Sequence, residues 1–536
     1  MSSNPSPRPR HLAPFPLEAV RRTVGASVVP ASSGALSRTS GDNSSNEEPL
    51  GEVVTGITLR SGEVLPGDVF AAVVGSKTHG ARSIPEAVAA GAVAVLTDQA
   101  GAEIAAEYAC LGVKVPTVLV VSDPRVVLGA AASMIYRNPS EKLTIIGVTG
   151  TSGKTTITYL VEAGLRACGQ RTGVIGTVET RIGDEVVPSD FTTPEAPDLQ
   201  ALLAVMVQAG VQSVAMEVSS HALALGRVAG IEFAVGAFTN LSQDHLDFHG
   251  DMESYFQAKE LLFDGRSRAG VVDIDDEYGR RLAAGHPEFT TVSAAGATAD
   301  WQLEHSEVAP SGVSLLKING PADLTVAVAL ALPGTFNISN TLIALGAVAA
   351  AGFDPVVAAA AISGVVVPGR MQAVDGGQSF LAVVDYAHKP AALKAVLSAI
   401  RESVRGKVIV VFGAGGDRDI GKRQVMGSVA GESADLIYVT DDNPRSEDPA
   451  SIRQEIMLGA LTHPNTAGRL HEIGDRRQAI RAAVAAAVPG DAVVIAGKGH
   501  ELGQYVGEKI IPFSDVAELT AALVDARAKL ITNEGD

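Results

Sequence analysis

LTIIGVTGTSGKTTITYLVEAGL, residues 143–165, decides the fold. Its first six residues form a largely β-branched apolar run, and after Lys154 the apolar residues recur at helical spacing. A strand that runs into glycines and hydroxyls and turns at once into a helix is built to hold phosphate. The backbone N–H groups of Gly150, Thr151, Ser152 and Gly153 and the helix N-terminus face the anion; Lys154 reaches its terminal oxygens, and the Thr155 hydroxyl, followed by Thr156, is placed for Mg²⁺. The spacing G-x-x-x-x-G-K is not met, because position 148 is valine. The strand before and the helix after carry the assignment, and residues 150–156 are read as an ATP site.

Outward from this motif, apolar strand-like runs alternate with helical patterns, which predicts an α/β fold with largely parallel sheets. A chain of 536 residues is too long for one core. Polar, proline-marked breaks at RNPSEKL from Arg137 and VPGR from Val367 predict three domains, about 1–140, 141–367 and 368–536. The N-terminal MSSNPSPRPRHLAPFP lacks a continuous apolar stretch and is not read as a signal peptide. The Ser/Asn/Gly-rich segment 31–49 reads as a mobile insertion. Ile343 to Val367 is apolar but is broken by Asp354, Pro355 and glycines, so packed helices explain it better than a membrane span.

A net charge of −18 argues against a general nucleic-acid or membrane surface, so anionic substrates must be met by local lysines, arginines and N–H groups. With Cys110 and Cys168 the only cysteines, there is no disulfide framework, and a reducing cytoplasm fits. Glu217 follows an apolar strand, where a carboxylate can hold Mg²⁺ directly or through water. After a further strand come Asp244, His245, Asp247 and His249, with Lys259 on a helix. Such a cluster is compatible with zinc, but no cysteine accompanies it and a phosphate loop lies upstream, so Mg²⁺ is the better assignment. His245 is preferred as a ligand over His249, which reads as structural.

TGTSGKTT, Thr192-Thr193-Pro194, EVSSHAL with Arg227, TNLSQDHLDFHG, the Lys259 segment, PGTFNISN, GRMQ, DYAHKP, GAGGDRDIGKR, DDNPR and GKGHE follow one another between about residues 56 and 510. In content and order they resemble the Mur ligases of peptidoglycan synthesis. The resemblance implies three domains: an N-terminal UDP-binding α/β domain, a central P-loop ATPase-like domain with a parallel sheet, and a C-terminal Rossmann-like domain. It also implies a cytoplasmic, monomeric ligase with ATP as co-substrate and two Mg²⁺ ions. The DNPR form is similar to the branch that adds meso-diaminopimelate, rather than L-lysine, to UDP-N-acetylmuramoyl-L-alanyl-D-glutamate. Related ligases that extend folate would share the ATP residues but not DDNPR, and a P-loop switch protein would need no amine site.

The chemistry can be built beside the resemblance. A carboxylate is a poor electrophile, so the ATP γ-phosphoryl group must first convert it to an acyl phosphate that an amine can attack. By resemblance Lys154, His245 and Lys259 are the catalytic set, and Thr155, Glu217, His245 and Lys259 the metal ligands. The residue matching Lys259 carries a carbamate (N6-carboxylysine) in the family; an ordinary cation touching phosphate is the other reading. Asn337, Asn340, Arg370 and Asp385, with Tyr386 and His388, match positions near ATP, which the resemblance places between domains. Ser76, Lys77, Thr78, Thr192, Thr193, Ser219 and Arg227 match the UDP-sugar-peptide site. The sequence departs from the family at Thr58-Leu59-Arg60 and at Leu225, which puts the uracil contacts and one sugar contact in doubt.

The strands KVIVVF, ADLIYV and AVVIA each end in a polar loop, and if they are parallel neighbours the three loops share one crevice. Arg418, Asp442, Asn443, Pro444, Arg445, Gly497 and Glu501 in these loops match the diaminopimelate contacts. Arg445 suits a carboxylate and Glu501 the ammonium beside it.

Overall fold

In the computed structural model the opening stretch forms the strand Thr144–Thr149 and the helix Lys154–Ala167. The structure describes residues 7–10, 12–29, 51–75, 77–188, 191–309 and 313–533. Segment 31–49, residues 1–6 and the candidate Ser76 lie outside the described residues. The chain forms two compact units, one of Met1–Lys154, Leu165–Thr291 and Gly346–Asp354, the other of Thr155–Gly164, Val292–Leu345 and Pro355–Asp536.

The first unit begins with a five-stranded sheet in the order Ser27–Val29, Thr117–Val120, Ala94–Thr97, Asp68–Ala72, Gly56–Thr58, parallel except for the first pair. Period-two alternation sorts its side chains: Val69, Ala71 and Leu96 pack toward Leu17, Val20, Leu128 and Ile135, while Phe70, Ala72 and Val95 pack toward Ile84, Ala87 and Ala102. With helices on both faces, the strand interiors are apolar, and the polar Ser27, Thr58, Asp68, Thr97 and Thr117 stand at strand ends.

An eleven-stranded sheet begins in this unit with the strands Glu185–Val187, Thr180–Ile182, Thr172–Ile175, Ser213–Glu217, Thr144–Thr149, Phe233–Phe238, Ser267–Asp273. The five strands from Thr172–Ile175 onward are parallel; the Thr180–Val187 hairpin closes one edge antiparallel. Pairing of Glu217 with Val148 and of Phe238 with Thr149 brings the carboxyl ends of three neighbouring strands level. This registration sets Gly150, Glu217 and Thr239 side by side.

In the second unit a six-stranded sheet has the order Gln372–Ala373, Leu381–Asp385, Ala492–Ala496, Val408–Phe412, Leu436–Val439, Leu470–Glu472, parallel apart from the first edge strand. Val408, Val410 and Phe412 pack with helices Pro390–Ser403 and Lys422–Ser433, and Ile409 and Val411 with Arg476–Ala486 and Asp515–Asn533. The three strands expected to be neighbours are adjacent and parallel. A meander of Trp301–Val308, Ser314–Gly320 and Leu324–Leu330 alternates buried Leu316, Ile318, Val326 and Val328 with exposed positions, as a one-sided antiparallel sheet does. The Ile343–Val367 run contains the end of helix Phe336–Ala350 and all of Pro355–Ile362, and among the described residues no helix is long and apolar enough to cross a membrane.

Candidate functional site

The phosphate-type loop is held by the neighbouring strand as much as by its own turn. Gly150 sits at φ 144°, and a Cβ there would lie 1.8 Å from Thr239 Oγ1, so glycine is required twice over. Thr239 donates to the Ser152 carbonyl at 2.7 Å, Asn240 Oδ1 accepts from Ser152 N at 3.0 Å, and Thr151 N donates to the Asn240 carbonyl at 2.9 Å. Lys154 Nζ and Lys259 Nζ each donate to the Gly150 carbonyl at 2.8 Å, and Lys154 also donates to that of Thr151. Two lysine ammonium groups converging on one carbonyl concentrate positive charge at this strand end. Lys259 is buried on helix Met252–Glu260, 4.5 Å over the Tyr255 ring, and the Tyr255 hydroxyl lies 3.2 Å from Thr151 Oγ1.

Glu217 ends its strand almost fully buried, and its carboxylate accepts from Thr177 N at 2.7 Å and Thr177 Oγ1 at 3.1 Å. Thr177 Oγ1 also lies 2.9 Å from Thr192 Oγ1. Thr193 donates to the Glu217 carbonyl at 2.9 Å and accepts from Ser219 N, while Arg227 donates to the Thr193 carbonyl and pairs with Glu195 at 2.9 Å. Thr192, Thr193, Ser219, Arg227 and Glu217 therefore form one hydrogen-bonded group within the first unit.

Next to it three imidazoles gather. His221 lies 4.7 Å from His245 and 5.5 Å from His249 between ring centroids. His245 adopts the left-handed conformation at φ 52°, and its Nε2 lies 3.3 Å from Asp244. His249 is 3.0 Å from Ser220 Oγ. Burial, with Arg227 adding for His221 and His221 for His249, holds both rings below the usual histidine range, so both are neutral near pH 7. In the first sheet's loops Lys77 and Thr78 are exposed, and Arg60 is committed to Glu63 and Asp198 at 2.6 and 2.9 Å.

In the second unit Asn337 Nδ2 donates to the Pro333 carbonyl and Asn340 Nδ2 to Asn337 Oδ1, which ties both to a helix start. Asp385, at a strand end, accepts from Met371 N at 2.7 Å and Ala387 N at 2.8 Å; burial pushes its carboxyl up, against the pull of Arg370. The Arg370 guanidinium lies 4.5 Å over the Tyr386 ring and donates to Thr155 Oγ1 at 3.3 Å. The His388 imidazole donates from Nδ1 to the Tyr386 carbonyl, and burial pushes it down to about 4.

The three loops after the parallel strands meet. Asn443 Nδ2 donates to Glu501 Oε2 at 2.9 Å, and Asn443 Oδ1 accepts from Lys498 Nζ at 2.8 Å and Tyr505 N at 3.0 Å. Arg445, at φ 52°, donates to the Gly416 carbonyl at 2.7 Å, its one side-chain hydrogen bond among the described residues. Gly497, at φ 115°, leaves no room for a Cβ, which would lie 2.6 Å from Asp442 Oδ2. Pro444 packs its carbonyl against Gly416, and Arg418 is exposed on the same glycine-rich loop.

Family models described as the Mur ligase family catalytic domain, the Mur ligase middle domain, and the Mur ligase glutamate ligase domain match residues 53–136, 148–348 and 369–499. A UDP-N-acetylmuramoyl-L-alanyl-D-glutamate–2,6-diaminopimelate ligase of Corynebacterium glutamicum is 50% identical over 90% of this chain and 95% of its own. The chain belongs to the Mur ligase family.

The Streptomyces coelicolor enzyme of the same name is 51% identical over 88% of this chain and 92% of its own. A solved structure described by that name superposes with TM-score 0.65 at 33% identity, covering 90% of this chain and 97% of its own. Folylpolyglutamate synthase of Mycobacterium tuberculosis superposes over 69% of this chain and 92% of its own, at TM-score 0.56 and 17% identity, a likeness of fold alone. This Mur ligase is an ATP-dependent ligase, and its site geometry adds residues that motif reading did not single out. Thr177 and Thr239 hold Glu217 and the loop, Tyr255 underlies Lys259, and Lys498 sits beneath Asn443. Their signal is weak in sequence because a lone threonine or tyrosine has many structural uses.

Proposed function

We propose that this Mur ligase joins meso-diaminopimelate to UDP-N-acetylmuramoyl-L-alanyl-D-glutamate through an acyl phosphate, as a cytoplasmic step in peptidoglycan precursor synthesis. The observation that carries the amine assignment is the meeting of Asn443 and Glu501, with Arg445 beside Asn443, on loops after the two parallel strands that flank Val408–Phe412. A guanidinium and a carboxylate on neighbouring loops suit the carboxylate and ammonium of one amino-acid centre, and L-lysine has no carboxylate at its far end. The relatives at about half identity, named for 2,6-diaminopimelate, support the same substrate.

In this reading Gly150 to Thr156 hold the ATP phosphates, with Asn337, Asn340, Arg370 and Asp385 as further ATP residues. Lys154 and the strand-end N–H groups offset negative charge as the γ-phosphoryl group passes to the substrate carboxylate. Thr192, Thr193, Ser219 and Arg227 hold the peptide end of the UDP substrate, with Ser76, Lys77 and Thr78 toward the diphosphate. The acyl phosphate is then opened by the amine held at Arg418, Asp442, Asn443, Pro444, Arg445, Gly497 and Glu501, with loss of phosphate.

The Thr155 hydroxyl and Glu217 carboxylate are hard oxygen donors of the kind Mg²⁺ takes, and His245 adds a nitrogen. Mg²⁺, when bound with ATP, neutralises phosphate charge. Lys259, buried beside the Gly150 carbonyl, is read as the site of carbamylation, which would exchange its ammonium for two further oxygens. The family-model segments support domains of 1–140, 141–367 and 368–536.

The test is phosphate release from ATP with the UDP-dipeptide, comparing meso-diaminopimelate with L-lysine. Release that requires the dipeptide and prefers diaminopimelate is the expected result. Preference for lysine would overturn the Arg445 reading, and release independent of any amine would overturn the ligase step.

A further inference from the structure

The amine crevice contains a cation with no role in the reading above. Lys498 is fully buried, and burying an ammonium is costly unless it is closely paired. Its Nζ donates to Asn443 Oδ1 at 2.8 Å and to Glu501 Oε2 at 3.0 Å, and lies 3.7 Å from Asp442 Oδ1. Three residues read as amine contacts thus surround a single ammonium.

The arrangement fixes two orientations. Asn443 Oδ1 is met by two donors, Lys498 Nζ and Tyr505 N, so its amide oxygen must point to them and its NH₂ group to Glu501. Glu501 Oε2 receives both Lys498 Nζ and Asn443 Nδ2, which leaves Oε1 of this partly exposed side chain without a partner among the described residues. The backbone of the same segment is held separately by the hairpin Gly503–Pro512, through Arg445 N to the Tyr505 carbonyl at 3.0 Å and Gly507 N to the Arg445 carbonyl at 2.7 Å. The hairpin therefore sets the loop path and shares the Asn443 oxygen through Tyr505 N, while Lys498 bridges that oxygen to Glu501 Oε2.

We propose that Lys498 is a positioning residue for the amine substrate: its buried ammonium locks the Asn443 amide and the Glu501 carboxylate so that Glu501 presents one oxygen to the substrate ammonium. This inference rests on the amine-site reading above. It separates Lys498 from an ordinary buried lysine because it places the effect of its loss on one substrate of three.

The experiment uses the full chain with Lys498→Met and Lys498→Arg, measuring KM and kcat for each substrate by phosphate release, with melting temperature alongside. In Lys498→Met the KM for meso-diaminopimelate should rise tenfold or more while those for ATP and the UDP-dipeptide stay within twofold. Lys498→Arg, which keeps charge and donors, should bring it back to within threefold of wild type. An unchanged diaminopimelate KM in Lys498→Met, or all three KM values moving together with a fall in melting temperature, would overturn the proposal. If Lys498→Met does not fold, Lys498→Gln, uncharged but still a donor, decides by the same split. Wild-type enzyme without diaminopimelate-dependent release removes the ligase reading and this inference together; an active wild type with unsplit variants removes the inference alone.

Discussion

Replacing Arg445 with alanine isolates the charge thought to recognise the far carboxylate of the amine substrate. The residue sits at φ 52°, held by its own N–H to Tyr505 and by Gly507 N to its carbonyl, and alanine keeps both bonds and the same backbone strain. What is lost is the side chain: one bond to the Gly416 carbonyl at 2.7 Å and the remaining guanidinium N–H groups. Loss of the Gly416 bond affects stability but cancels from a ratio of two substrates on one enzyme. A charge-assisted contact to a carboxylate contributes about 1.5–3 kcal/mol, so the ratio of kcat/KM for meso-diaminopimelate over L-lysine should fall roughly tenfold to a hundredfold. Arg445→Lys, a point charge in place of a planar fork, should fall between the two. The assay is initial-rate phosphate release with each amine varied at saturating ATP and UDP-dipeptide. An alanine enzyme with the wild-type ratio would refute the assignment of Arg445.

Thr177→Val removes the hydroxyl that donates to the buried Glu217 carboxylate and accepts from Thr192; an unsatisfied buried acceptor costs about 1–3 kcal/mol, so phosphate release should need more Mg²⁺, read by titration of the metal. His388 is held down to about 4, chiefly by burial, so the unfolded chain takes up its proton first as pH falls. Its contribution is full above about 6.5 and is lost on acidification through about 4; allowing for its partial exposure this is roughly 1–2 kcal/mol, and melting temperatures of His388→Gln should fall less steeply over that window. Arg476 and Asp515 form a fully buried pair at 2.7 Å, so Arg476→Leu alone should cost about 3–5 kcal/mol in denaturant unfolding. The double change with Asp515→Leu should recover most of that loss, since it leaves no orphaned charge.

The strand–loop–helix unit around Lys154 was legible because its pattern is local: a strand, glycines, a lysine, hydroxyls and a helix follow one another within a few turns of chain. The helical reading of the apolar Ile343–Val367 run was legible for a similar reason, since Asp354 and Pro355 break it in sequence as they do in the structure. The antiparallel additions were not. The Thr180–Val187 hairpin and the Trp301–Leu330 meander are short or one-sided, and which sheet such strands join depends on distant partners. Lys498 escaped notice because a glycine-flanked lysine reads as a loop cation; only burial shows that its charge is spent on Asn443 and Glu501.

By itself the sequence determined the α/β class, the strand–loop–helix unit around Lys154, the family and the loops from which an amine site can be drawn. These follow from side-chain periodicity and from motifs whose spacing is set by one turn or one strand end. Only the tertiary structure decided that residues 408–412, 436–439 and 492–496 lie side by side. It alone joined Thr177 to Glu217 across 40 residues, and Lys259 to Gly150 across 109. Strand order and register are properties of pairing between remote segments, settled by which faces pack together, and no local pattern in the chain encodes them.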